Sequence, residues 1–184
     1  MKKKIALLGD SIRLIGYGLK VPQMLGEEYE VFQPEDNCRF AKYTLRMLFD
    51  LKENLQDCKI IHWNNGLWDV CNLFDDGELF SSDEEYYENM LRIARILKQI
   101  TPNVIFATTT PVYPDYPYND NADIARRNAY LIPKLQEMGI LINDLYSVVA
   151  ADFDKYICED KLHLSEEGAT LCAQKVCNVI KSIS

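Results

Sequence analysis

Lys2-Lys3-Lys4-Ile5-Ala6-Leu7-Leu8-Gly9-Asp10-Ser11-Ile12 is the stretch whose reading decides the fold. Residues 5–8 are an apolar run of strand length without alternation, the pattern of a strand covered on both faces in a parallel sheet. The run stops at Gly9-Asp10-Ser11, which sets a hydroxyl at the carboxyl end of that strand, where open α/β sheets bind their ligands. A serine there is a candidate nucleophile if a base reaches it, and the chain has two histidines, His62 and His163.

Outward from this strand, short apolar runs alternate with longer helical patterns, as in a doubly wound parallel sheet. Strands are expected at 5–8, 29–33, 58–63, 103–107 and 140–142. Helices are expected at 44–55, at 84–100 with Asp83 as its cap, at 122–138 with a kink or restart at Pro133, and at 144–151. A last helix opens on Ser165, with Glu166 and Glu167 at its positive end. Gly16, Gly18 and Pro22 break the segment after Ser11 into short helical pieces. The fold class is therefore α/β: a three-layer α/β/α sandwich with a five-stranded parallel sheet of flavodoxin-like type, as one domain over residues 1–184.

Composition excludes several classes of function. A net charge of -8, with Lys2, Lys3 and Lys4 as the sole basic run, leaves little material for a phosphate-binding face, so no nucleic-acid partner is expected. No stretch of eighteen apolar residues is present, and the run after the lysines is short for a signal-peptide core, so the chain is expected to be cytoplasmic without a membrane partner. The six cysteines form no Cys-x-x-Cys pair and no zinc-like group with the histidines. Reduced thiols are expected, with no metal and no cofactor. A flavodoxin-like phosphate loop needs several Gly, Ser or Thr positions after the first strand, and Ser11-Ile12-Arg13-Leu14-Ile15 supplies one hydroxyl. A phosphoacceptor receiver needs an acidic cluster at that edge and a late lysine, and neither is visible.

The base lies near the other end, in Asp160-Lys161-Leu162-His163. Three residues apart in a helical turn, the two side chains share a face, so the carboxylate can hold one imidazole nitrogen while the other faces outward. Ser11, His163 and Asp160 then supply nucleophile, base and orienter. Asp152 and Asp154 precede the same histidine without this spacing, and His62 reads as a strand residue packed in place.

Together, the Gly9-Asp10-Ser11-Ile12 start, the Asn64-Asn65-Gly66-Leu67-Trp68-Asp69 middle and the Asp160-x-x-His163 end resemble the SGNH (GDSL-like) hydrolases, a family of serine esterases and acylhydrolases. The resemblance spans nearly the whole chain in the expected order. It implies an oxyanion hole made by the Ser11 N–H, a backbone N–H of a second block and an asparagine side chain of a third, in the pattern Gly-x-Asn-Asp. Here that pattern reads Gly66-Leu67-Trp68-Asp69, with tryptophan in the asparagine position. Asn64 and Asn65 are the substitutes, and the similarity to a bacterial subgroup with an asparagine before Gly-Leu-His-Asp favours Asn64. In the second block Asn37-Cys38, after Pro34-Glu35, resembles the same subgroup, so the Cys38 N–H or the Asn37 side chain is expected to serve. Thr108, Thr109 and Thr110 are expected to line the pocket.

Trp63, Trp68, Tyr113, Tyr116 and Tyr118 offer flat faces to a sugar ring, and nothing resembles a long greasy lid. The expected partner is thus a small-molecule or carbohydrate ester with a short acyl group, acetyl over long-chain lipid. Activity is expected to rise as His163 loses its proton. The other reading, motivated by Trp68, is a catalytically silent SGNH fold used for carbohydrate binding or assembly.

Overall fold

Alternation along each strand divides the apolar residues between the two faces of one sheet, so helices must cover both. The structure, a computed structural model, describes residues 2–74 and 76–184. Its strands are β1 (Lys3–Leu8), β2 (Tyr29–Phe32), β3 (Ile60–Trp63), β4 (Val104–Ala107) and β5 (Leu141–Asn143). They pair in parallel in the order β2-β1-β3-β4-β5. The helices are α1 (Val21–Leu25), α2 (Ala41–Asp50), α3 (Lys52–Leu55), α4 (Asp83–Ile100), α5 (Asn121–Glu137), α6 (Leu145–Ala150), α7 (Phe153–Tyr156) and α8 (Glu166–Ser182).

Ile5, Leu7, Ile60, Ile105 and Ala107 point to one face, where α1, α6 and α8 bury Val21, Leu145 and Val176 against them. Ala6, Leu8, Ile61, Trp63, Val104 and Phe106 point to the other, covered by α2, α4 and α5 through Leu48, Ile93 and Leu131. This is the expected three-layer sandwich. The strand order reverses beside β1, and that crevice opens at the edge where Ser11 and Asn64 follow their strands.

Several local expectations change once tertiary partners are present. Helix α4 is capped by Ser82, whose hydroxyl accepts the Glu85 N–H, because the Asp83 carboxylate is drawn sideways to Arg126 and Arg127 on α5. Helix α5 runs unbroken through Pro133, since the fully buried Leu131 and Leu135 anchor it to the sheet on either side. The expected helix at 44–55 begins earlier, at Ala41, and is interrupted at Leu51. Ser165 does cap α8, accepting the Gly168 N–H at 3.0 Å. Trp63 offers no face to a ligand: it is buried against Phe106, with ring centroids 4.8 Å apart, and donates Nε1–H to Asn65 Oδ1 at 3.0 Å. His62 is buried between Tyr17 and Asn143, whose amide donates to Nε2 at 3.2 Å, and burial lowers its pKa to about 3, so the ring is neutral.

Candidate active site

The turn that carries Ser11 is built by Asp10. Its carboxylate accepts the Ile12 N–H at 3.0 Å and its carbonyl accepts the N–H groups of Arg13 and Leu14, which starts a turn of π-helix over Ile12–Gly16. Ser11 therefore stands at the head of a helical turn, where backbone N–H groups lack intrahelical acceptors. Glycine is required before it, because a Cβ on Gly9 would collide with the Asn64 side-chain oxygen and with Arg13 Cβ.

Arg13, buried to 1% exposure, is a residue sequence reasoning missed. Its guanidinium donates to the carbonyls of Pro34 (2.9 Å), Gly9 (3.2 Å) and Asp36 (3.0 Å), and so ties the loop after β2 to the Ser11 turn. The one signal was a charged residue two positions past the serine inside an otherwise apolar segment.

At the other end, Asp160 and His163 meet in a tight turn and not in a helical one. Cys158 N–H donates to His163 O at 2.8 Å and Ile157 bridges Leu164, while Lys161 takes a left-handed φ of 68°. Asp160 curls back over this turn. Its Oδ1 accepts the Leu162 and His163 N–H groups, both at 2.9 Å, and the Cys158 thiol at 3.0 Å. Partial burial acts to raise the Asp160 pKa, but these donors and the His163 ring outweigh it and hold the carboxyl well below the ordinary carboxylate range. Its other oxygen, Oδ2, lies 2.6 Å from His163 Nδ1.

An ionised carboxylate only accepts, so Nδ1 carries the proton and Nε2 is left as an acceptor. Ser11 Oγ lies 2.9 Å from that Nε2, across 152 residues of sequence. The structure thus brings Ser11, His163 and Asp160 into one hydrogen-bonded chain. Asp152 and Asp154 stand apart from it: the first caps α7 and the second accepts the Tyr113 hydroxyl.

Beneath Ser11, Asp10 is fully buried. Desolvation raises its carboxyl to about 6, against the lowering effects of Asn64, the Ile12 N–H, Arg13 and His163. Asn64 donates to Asp10 at 2.9 Å and accepts the Tyr17 hydroxyl at 2.7 Å, so its amide is locked beside the serine turn with one N–H used. Asn65 is committed to scaffold contacts, accepting from Trp63 and donating to the Arg39 carbonyl at 2.9 Å. The Cys38 N–H is not free for a ligand, because it donates to Gly9 O at 3.1 Å, while the Cys38 sulfur accepts the Gly9 N–H. Asn37 Oδ1 accepts the Arg39 N–H at 2.7 Å, holding Arg39 at a left-handed φ of 49°. Two of the threonines are also spent on the scaffold: Thr108 bonds Asp144 and Tyr146, and Thr109 bonds the Asn65 carbonyl, whereas the buried Thr110 hydroxyl has no hydrogen-bond partner among the described residues.

Asp69 explains the early start of α2. Its buried carboxylate accepts the Ala41 N–H at 3.0 Å and the Ser81 hydroxyl at 2.9 Å, a helix cap delivered from 28 residues away. Asp69→Ala is expected to destabilise the fold by about 2–3 kcal/mol by orphaning two buried donors, read as a lower urea midpoint at unchanged slope.

A recess of about 200 Å³ opens at Ser11, walled by Leu67, Trp68, Leu73, Leu162 and the rings of Tyr116 and Tyr118. Of the aromatic residues expected to face a ligand, the structure brings Trp68, Tyr116 and Tyr118 to Ser11, and leaves Trp63 and Tyr113 elsewhere. Among the described residues no cluster of three or more His, Cys, Asp or Glu is placed to hold a metal ion.

Solved structures share this arrangement of strands and helices. A lipase/acylhydrolase from Enterococcus faecalis superposes with a TM-score of 0.76 at 20% identity, covering 99% of this chain and 96% of that one. A GDSL-like lipase from Bacteroides thetaiotaomicron gives 0.73 at 16% identity, covering 99% and 89%. An acetylxylan esterase from Geobacillus stearothermophilus gives 0.78 at 14% identity, covering 97% and 94%. No family model matches the sequence, and no curated protein matches it. The chain has the fold of the SGNH, or GDSL-like, hydrolases.

Proposed function

We propose that the protein is a serine esterase that cleaves small acyl esters through an acyl-enzyme. The observation that carries this reading is the chain Ser11 Oγ, His163 Nε2, His163 Nδ1, Asp160 Oδ2, with steps of 2.9 and 2.6 Å at its two polar contacts.

In this mechanism His163 Nε2 takes the Ser11 hydroxyl proton as Oγ bonds to the ester carbonyl carbon. Asp160 keeps Nδ1 protonated and stabilises the imidazolium. Collapse of the tetrahedral intermediate breaks the bond to the alcohol oxygen, which receives the proton from Nε2. Water, deprotonated by the same nitrogen, then releases the acid and restores Ser11. The oxyanion falls to the Ser11 N–H and to the second N–H of the Asn64 amide, the first being held by Asp10. Donors of this kind are typically worth about 3–4 kcal/mol each in the transition state.

The alcohol half is assigned to a polyhydroxylated compound such as a carbohydrate. Acetylxylan esterases among the structures of the same fold support this. The test is hydrolysis of p-nitrophenyl acetate and butyrate by the native chain and by Ser11→Ala, with stopped-flow detection of a nitrophenol burst. A burst of one equivalent that Ser11→Ala lacks is the expected result. Equal rates for the two proteins would overturn the reading in favour of a silent carbohydrate-binding fold.

A further inference from the structure

Two hollows meet beside the nucleophile, and their linings differ. The smaller, of about 200 Å³, contains Ser11 and is walled mainly by carbon. The larger, of about 590 Å³, does not include Ser11 and is lined by Asn72, Asp120, Asn121 and Asp123 among others. Tyr116, Tyr118 and Asn119 border both. An ester attacked at Ser11 must send its two halves in different directions from the carbonyl carbon, so the halves have chemically distinct places to go.

Two polar groups in the wall of the smaller recess are spent on its own backbone. Cys71 donates its thiol hydrogen to the Trp68 carbonyl at 2.9 Å, and the Asn119 amide nitrogen donates to the Leu67 carbonyl at 2.9 Å. These two contacts, with an antiparallel bridge between Cys71 and Asn119, strap the wall together, and most of the surface it presents is carbon, the remaining polar side-chain groups including Ser11, the Tyr116 and Tyr118 hydroxyls and the Asn119 amide oxygen. Such a surface favours hydrocarbon, because a hydroxyl buried there without a partner loses its hydrogen bonds to water. Trp68 and Leu73 remain 40% and 46% exposed at the rim, so they close the recess without being part of the core.

We propose that this recess receives the acyl half of the ester, and that Trp68 and Leu73 set the longest acyl group the enzyme accepts. The inference rests on Ser11 being the nucleophile, as argued above. At roughly 30 Å³ per non-hydrogen atom, the share of a molecule in liquid water, the recess holds about six or seven such atoms. That is a hexanoyl chain or one aryl ring, well beyond acetyl and well short of a lipid chain. The polar hollow takes the alcohol.

The experiment is kcat/KM across p-nitrophenyl acetate, butyrate, hexanoate, octanoate and decanoate for the native chain, Trp68→Ala and Leu73→Trp. For the native chain kcat/KM is expected to rise about fourfold per methylene up to hexanoate, the equivalent of ~0.8 kcal/mol per buried CH₂, and to fall by decanoate. Trp68→Ala is expected to move the optimum to octanoate or beyond, and Leu73→Trp to move it toward acetate. Circular dichroism melts of both variants that match the native melt would show that each is folded. A native optimum at acetate, or an optimum at any chain length that neither variant moves, would overturn the proposal while the esterase reading stood. So would a Trp68→Ala effect on KM that followed the alcohol of a set of acetates and ignored the acyl series. Absence of turnover above Ser11→Ala with every ester would instead sink the esterase reading itself, and this inference with it.

Discussion

Ser11→Ala is expected to lower ester hydrolysis by at least about 10⁴-fold and to abolish the burst, with thermal stability essentially unchanged. The size of the effect follows from the unit in which Ser11 acts: without Oγ no acyl-enzyme forms, and removing the nucleophile of such a unit costs about as much as removing all of it. What remains is binding and whatever stabilisation the oxyanion donors give to attack by water. The stability expectation follows from the contacts. The Ser11 hydroxyl has His163 Nε2 as its side-chain partner, whereas the turn itself is held by the Asp10 carboxylate and by the Arg13 clamp. A substitution that touches neither stays within about 0.5 kcal/mol. Circular dichroism melts of the two proteins check this, and a melt lowered by many degrees would mean that the loss of activity reports on folding.

Asp160→Asn is expected to reduce kcat by about 10⁴-fold, the typical result of exchanging a triad carboxylate for an amide. The variant keeps the shape of the side chain, and an amide oxygen in the Oδ1 position can still accept from the Leu162 and His163 N–H groups. The amide nitrogen then faces His163 Nδ1 and donates to it, so the proton moves to Nε2, which can no longer accept from Ser11. Circular dichroism melts of both proteins separate this from simple loosening. A loss of kcat below about tenfold in a folded variant would show that Asp160 is not the orienter.

The two ends of the hydrogen-bonded chain from Ser11 through His163 to Asp160 were readable because each is a local pattern. A strand that stops at Gly9-Asp10-Ser11 and an aspartate three residues before a histidine are visible without knowing what lies between them. The geometry that joins Asp160 to His163 was read wrongly, as a helical turn, because i,i+3 spacing also fits a tight turn in which Asp160 folds over its own backbone. The donors of the oxyanion hole were harder. Whether an N–H is free depends on every neighbour, and the Cys38 N–H, which looks available in sequence, is taken by the Gly9 carbonyl. Arg13 and Asp69 were missed for the converse reason. Each holds backbone groups of a segment distant in sequence, and nothing near either residue advertises that partner.

By itself the sequence determined the layers, the sheet and the placement of Ser11 at the carboxyl edge of the first strand, since these depend on the period of apolar residues and on which residue ends a strand. Those are properties of contiguous segments, written in the order of the chain. Tertiary structure alone decided where α2 begins, which residue caps α4, that α5 survives Pro133, which rings reach Ser11 and which polar groups stay open to a ligand. Each of these turns on competition for a hydrogen-bond partner or for buried space between residues far apart in sequence, and that competition has no outcome until the fold brings them together.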